Sequence, residues 1–169
     1  MGYAVAAQRF QSGPAEVRNL EVEVTGQGRH DEIIVVGAHY DSVSGSPGAN
    51  DNGSGVAAVI ELARLLRQAQ PARTLRFVAF ANEEPPFFKT EEMGSRFYAR
   101  RSRERRDNIV AMFSLETIGY YADRPGSQRY PFPLGFFYPS AGNFIAFVSD
   151  LTSRPLLHEG VAAPAFIPE

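Results

Sequence analysis

The chain has 169 residues, a formal net charge of −2, 44% hydrophobic and 21% charged residues, and no cysteine. This is the length and composition of one ordinary globular domain, so a single domain over 1–169 with its own core is expected. Disulfides, thiolate catalysis and cysteine-ligated zinc are excluded, the charge exerts no general pull on nucleic acid or an anionic membrane, and no stretch reads as a membrane span or secretory leader.

Val17 to Thr25 alternates apolar and polar residues from Leu20 onward, the pattern of a half-buried strand. Gly26 to Arg29 is a turn. Ile33 to Ala38 is a continuous, mostly β-branched run, as found in strands covered on both faces. It ends in the polar cluster His39-Tyr40-Asp41-Ser42. Ser42 to Gly55 is rich in Gly, Ser, Asn and Asp and predicts a loop. Val56, Val59, Ile60, Ala63 and Leu66 then fall at helical spacing, up to Gln70-Pro71. Thr74 to Ala81 predicts a second buried strand, ending in Asn82-Glu83-Glu84. Met93 to Arg105 predicts a helix with a basic outer face and Phe97 turned to the core. Ile109 to Leu115 predicts a third core strand, ending in Glu116. Asn143 to Leu151 suits a short helix, and Pro155 to Glu169 reads as irregular. Alternation of strand and helix argues for an α/β fold with parallel strands at its centre.

The informative feature is where the polar residues fall. Three apolar runs end in metal-capable groups: His39 with Asp41, Glu83 with Glu84, and Glu116. Asp51 lies in the loop that enters the first helix. Ligands of open α/β sheets bind beyond the C-terminal strand ends, so parallel strands would gather these groups at one place. Several carboxylates brought together repel unless a cation compensates them. A histidine among carboxylates suits zinc, whereas an all-oxygen set suits magnesium or calcium. Two zinc ions sharing one carboxylate can polarise a carbonyl and acidify a water, with a free carboxylate as general base. Adjacent Glu83 and Glu84 can divide ligand and base between them. Singly, each residue has a plainer reading: Asp51 as an ordinary helix cap, Glu83-Glu84 as a solvated turn. Together, at matching ends of apolar runs, they favour a metal centre.

Val-Gly-Ala-His39-Tyr-Asp41-Ser, Gly-Ala-Asn-Asp51-Asn-Gly-Ser-Gly, Ala-Asn-Glu83-Glu84 and Ser-Leu-Glu116-Thr-Ile-Gly-Tyr, in this order, resemble the bacterial leucyl aminopeptidase family of co-catalytic zinc exopeptidases. That family also contains glutamate carboxypeptidase and glutaminyl cyclase. The resemblance implies a three-layer α/β/α fold with a mixed, mostly parallel central sheet, two zinc ions and a peptide substrate with a free N-terminus. It implies His39 as ligand of one zinc, Asp41 as the residue that orients the His39 ring, and Asp51 as the bridge between zinc ions. Glu83 is then the general base and Glu84 a ligand of the second zinc. Glu116 completes the first zinc's set where the family usually has aspartate. A cis peptide after Asp51 is implied as well.

The family's last zinc ligand is a histidine in a region beyond Glu169, so a C-terminally incomplete domain is expected. By this reckoning one zinc keeps His39, Asp51 and Glu116, while the second keeps Asp51 and Glu84 without its histidine. His30 precedes the first motif strand. His158 is the alternative replacement ligand, against the plainer reading of an exposed loop residue. Self-association through apolar surface left uncovered is expected too.

The remaining motifs yield less. The arginines from Arg96 to Arg106 read as a solvated helix face rather than a nucleic-acid footprint. Gly48 to Gly55 lacks the Gly-Lys-Ser/Thr of a phosphate loop, and Ser54 is not in a nucleophile elbow because position 52 is asparagine. Pro85 to Phe88 and the aromatic residues from Tyr120 to Tyr138 suit either a specificity pocket or a core.

Overall fold

A computed structural model describes residues 2–162. The chain divides into two compact units, one ending at Gly119 and the other beginning at Tyr120.

The first unit is built on a five-stranded mixed sheet of order β1-β2-β4-β3-β5. The strands are β1 (Ala6–Ser12), β2 (Ala15–Val24), β3 (Arg29–His39), β4 (Arg73–Phe80) and β5 (Asn108–Ser114). β3 is central and parallel to both β4 and β5, while β2 pairs antiparallel with β4 and with β1. Helix α1 (Gly53–Leu66) joins β3 to β4, and α2 (Gly94–Arg105) joins β4 to β5. Successive strand residues point to opposite faces, and the core divides accordingly. Val24, Ala38 and Phe77 pack with Val59 and Ala63 of α1. Ile33, Val35, Val78 and Phe80 pack with Tyr98 of α2. The result is three layers, helix on sheet on helix.

The strands beyond Leu20 and both helices lie where the sequence places them, but β5, expected as a core strand, buries only Ala111, with Val110 44% and Met112 46% exposed. The hairpin strand β1 has no counterpart in that reading, because Phe10 is its one buried apolar residue. It turns into β2 through Gly13 at φ +54, a backbone region closed to most side chains and suited to a two-residue hairpin. Tyr98, not Phe97, is the buried aromatic residue of α2; Phe97 stacks on Phe10 at 4.1 Å. The basic face of α2 is laced with acid: Arg96 and Arg100 pair with Glu91, and Arg101 pairs with Glu21 at 2.8 Å.

The second unit has little regular structure. It holds one isolated bridge, Ala122 with Gly142, a 3-10 turn at Leu134–Phe136, and α3 (Arg154–Ala162). Among its described residues none is buried. Two expectations are corrected here. Asn143 to Leu151 forms no helix, and the helix starts later, where the sequence reading expected irregular chain. Asp150 Oδ1 accepts hydrogen bonds from the Ser153 amide at 2.7 Å and from the Thr152 hydroxyl at 2.8 Å, which organises the turn before α3. Pro155 then stands in the first helical turn, where a missing N–H costs nothing. Residues 163–169 of the stretch read as irregular lie outside the described part.

The aromatic residues from Tyr120 to Tyr138 form no core. Phe132 is 88% exposed, Phe136 79% and Phe137 77%.

Candidate metal centre

The parallel register sets the site. His39 is opposite Phe80 of β4, and Gly37 is opposite Ser114 of β5. Glu116, two residues past Ser114, therefore comes level with His39, and Glu83 and Glu84 follow just past the end of β4. His39 is buried, 4% exposed. Its Nδ1 lies 3.1 Å from the Asp41 carbonyl oxygen and 3.5 Å from the Asp41 carboxylate. That leaves Nε2 facing the open end of the sheet. It lies 3.2 Å from Asp51 Oδ1, 3.3 Å from Glu116 Oε2 and 3.8 Å from Glu83 Oε2. Glu84 is also near: one ligand atom each of His39, Asp51 and Glu84 lie within 4.8 Å of one another.

The Asp41 carboxylate is turned mainly elsewhere. It accepts the backbone N–H of Glu83 at 3.1 Å and of Glu84 at 2.9 Å. Asp41 thus fastens the end of β3 to the segment that carries both glutamates, and the ring of His39 is held chiefly by the Asp41 backbone.

A second fastener was not singled out from the sequence. Asn52 is 1% exposed and caps α1, its side chain accepting from the Gly55 amide at 3.1 Å. Its Nδ2 donates to the Leu115 carbonyl at 2.8 Å and to Glu116 Oε2 at 3.1 Å. A Cβ added at Gly55 would sit 2.3 Å from Asn52 Oδ1 and 2.6 Å from the Leu115 oxygen, so only glycine lets α1 start this close to the end of β5. Because Asn52 is the cap, the carboxylate of Asp51 is not used for capping. The Asp51–Asn52 peptide bond is cis.

The β1–β2 hairpin supports the glutamate segment from beneath. Asn19, buried in β2, accepts from the Ala81 amide at 3.0 Å and donates to the Gly94 carbonyl at 2.8 Å. Asn82, at φ 57, donates to Ser12 of β1 at 2.9 Å. Only Asn52 lies in the Gly- and Asn-rich stretch, and hydrogen bonds between residues 62 to 75 positions apart have no local signature.

Electrostatically the cluster is a sink for positive charge. Among the described residues no lysine or arginine pairs with Asp41, Asp51, Glu83, Glu84 or Glu116; His39 is their one basic partner. Burial disfavours the charged ring, yet Glu116, Glu83, Asp41 and Asp51 together outweigh it and hold the His39 pKa above its ordinary value. Burial pushes the Glu83 carboxyl up, as do the like charges of Glu84, Asp41 and Asp51, against the opposing pull of His39. Burial raises Glu116 similarly, with Asp51 and Glu83 adding to it.

The donor set fits zinc. Bonds of about 2.1 Å in a tetrahedral site put neighbouring ligand atoms about 3.4 Å apart. The separations of 3.2 and 3.3 Å from His39 Nε2 to Asp51 and Glu116 match that edge. His39, Asp51 and Glu84, with one ligand atom each within 4.8 Å, could hold a metal ion.

The other two histidines have partners of their own or stand far along β3. His30 stands at the start of β3, nine residues before His39 in one strand, roughly 30 Å away at the usual rise. His158 is in α3 of the second unit, where its Nε2 accepts from Arg154 Nε at 3.2 Å.

Residues 19–132 match the model of peptidase family M28. The chain belongs to peptidase family M28. The match spans every residue of the cluster. The uncharacterized protein YfbL of Escherichia coli strain K12 is 41% identical over 192 aligned positions, covering 94% of this chain and 58% of YfbL. Among solved structures, the aminopeptidase of Aneurinibacillus sp. strain AM-1 superposes with a TM-score of 0.54 at 32% identity, over 65% of this chain and 26% of that one. A glutaminyl cyclase of an Acidobacteriales bacterium superposes with a TM-score of 0.59 at 27% identity, over 72% of this chain and 47% of that one. The chain thus spans less than two thirds of the length of each of these relatives. The α/β fold of the M28 exopeptidases is shared over that part.

Proposed function

We propose that this M28 chain carries the metal-binding half of a zinc aminopeptidase centre, which removes N-terminal residues from peptides. The observation that carries the reading is the convergence of Asp51 and Glu116 on His39 Nε2 at tetrahedral-edge distances, with Glu83 3.8 Å from the same nitrogen.

In this reading His39, Asp51 and Glu116 hold one zinc, while Asp51 and Glu84 hold a second more weakly. Zinc, when bound, supplies a water acidified towards neutrality and positive charge against the scissile carbonyl. The protein's own part is proton traffic and positioning. Glu83 would take the proton from the attacking water at its carboxylate. The same carboxyl then gives that proton to the leaving amine. Asp41 keeps Glu83 and Glu84 in place through their backbone amides.

The test is hydrolysis of leucyl-4-nitroanilide by zinc-loaded protein against Glu83→Gln. The account expects one zinc bound tightly, a second weakly, and a low rate that disappears in Glu83→Gln with the tight zinc retained. Full turnover at two tight zinc ions would contradict the weak second site. A rate unchanged in Glu83→Gln would remove Glu83 as the base.

One observation favours a second reading. The likeness to a glutaminyl cyclase, over 72% of this chain, suits a one-zinc enzyme that closes N-terminal glutamine, with one zinc held by His39 and the carboxylates around its Nε2. Incubating the same sample with a glutaminyl peptide separates the two, and zinc binding with neither reaction would mark a non-catalytic module. Peptide chemistry is the expected partner in each reading; nucleic acid and membrane are not.

A further inference from the structure

We propose that Asn52 is a positioning residue for Glu116, so that zinc affinity at His39 depends on a buried amide that is not itself a ligand. The proposal rests on the zinc reading of the site and deepens it.

The Asn52 side chain is fully committed. Its Oδ1 accepts from the Gly55 amide at 3.1 Å and from the Thr117 amide at 3.3 Å. Its Nδ2 donates to the Leu115 carbonyl at 2.8 Å and to Glu116 Oε2 at 3.1 Å. Two donors and two acceptors are all that a carboxamide offers. The partners also fix which end is which: two backbone N–H groups face the oxygen, and a carbonyl and a carboxylate face the nitrogen. The Glu116 oxygen held by Asn52 is the one 3.3 Å from His39 Nε2.

Glu116 needs such a holder. It lies two residues past the end of β5, its side chain is 48% exposed, and no lysine or arginine among those described pairs with it. A glutamate has one more rotatable bond than an aspartate, so its oxygen is less fixed by the backbone. Asn52 is next in the chain to Asp51, so one amide ties the loop that presents Asp51 to the strand end that presents Glu116. Partners that orient ligands in this way typically contribute 10–100-fold in metal affinity.

The decisive variant is Asn52→Asp. It is isosteric, and a carboxylate still caps α1 and accepts both amides. It loses the donor to Glu116 and adds a negative charge beside the site. Simple electrostatics predicts tighter zinc binding; lost positioning predicts weaker binding. Zinc affinity is read by competition with a chromophoric chelator, and ligand geometry by the visible absorption of the cobalt-loaded protein. The expected result is a 10–100-fold weaker affinity with an altered cobalt spectrum. Asn52→Ser, which keeps a capping oxygen and adds no charge, is expected to show the same loss and serves if the aspartate variant does not fold. Asn50→Ala is the control. It removes a tie between the same loop and the Gly119 amide, at 2.9 Å, without touching Glu116, and is expected to leave affinity within about threefold and the cobalt spectrum unchanged. Wild-type affinity in both Asn52 variants, or tighter binding in Asn52→Asp, overturns the proposal. Wild-type protein that binds no zinc overturns instead the zinc reading on which it rests.

Discussion

Replacing Asp41 by asparagine tests whether the end of β3 organises the glutamate segment. The carboxylate accepts two backbone N–H groups, from Glu83 at 3.1 Å and Glu84 at 2.9 Å. Asparagine keeps one acceptor oxygen and turns the other position into a donor that faces an N–H. One charge-assisted bond becomes neutral and the other is replaced by donor against donor. Hydrogen bonds to charged groups contribute about 1.5–3 kcal/mol each and neutral ones about 1. The Asp41 side chain is 24% exposed, so water recovers part of the loss. The expected destabilisation is about 2 kcal/mol, or roughly 4–8 °C in Tm for a chain of this size. Affinity for the second, weaker zinc should fall by about 10–100-fold, because Glu84 is no longer held. Urea unfolding of the metal-free protein, followed by circular dichroism, reads the first effect, and chelator competition reads the second. A loss below about 0.5 kcal/mol with unchanged zinc affinity would refute this role for Asp41.

Zinc at 100 times its dissociation constant should stabilise the protein by about 2.7 kcal/mol, and a chelator should reverse the gain in thermal melts. The Tyr98 phenol, buried under α2 without a hydrogen-bond partner, is pushed up to about 12 by its burial and by Glu21. An unfolded chain releases that proton near pH 10. Folded protein therefore holds more protons between pH 10 and 12 and loses about 2–3 kcal/mol of stability across that window, a loss that Tyr98→Phe should abolish in pH-dependent urea titrations. The exposed aromatic residues at Phe132, Phe136 and Phe137 should drive concentration-dependent association, and sedimentation of a Phe136→Ser, Phe137→Ser variant should show it weakened.

Much of the first unit was legible in the sequence for a simple reason. A strand covered on both faces must be apolar throughout, so the runs that became β3 and β4 announced themselves, while β5 shows the same apolar run with only Ala111 buried. The polar residues ending those runs had to emerge at one end of a parallel sheet, which is why His39, Glu83, Glu84 and Glu116 are found together. What escaped depends on contacts between distant residues. β1 buries only one large apolar side chain and is held by pairing to β2. Phe97 and Tyr98 are adjacent, and which one enters the core is settled by where Gly94 docks against Ala81, whose carbonyl accepts the Gly94 amide at 2.8 Å. Asn52 looked like one more loop asparagine because its partners Leu115 and Glu116 lie more than 60 positions away. α3 was obscured by Pro155, which stops a helix in its middle but opens one at its start. The aromatic stretch after Tyr120 has core-like composition without a core, since apolar content alone does not specify what covers it.

The most direct test of the metal centre is zinc stoichiometry on chelator-stripped, reloaded protein, measured in parallel on His39→Ala. The account predicts one tightly held zinc per chain in the wild type and none in the variant. A wild-type chain without tight zinc, or a variant that keeps it, would contradict the assignment of His39 as the nitrogen ligand of an M28 zinc site.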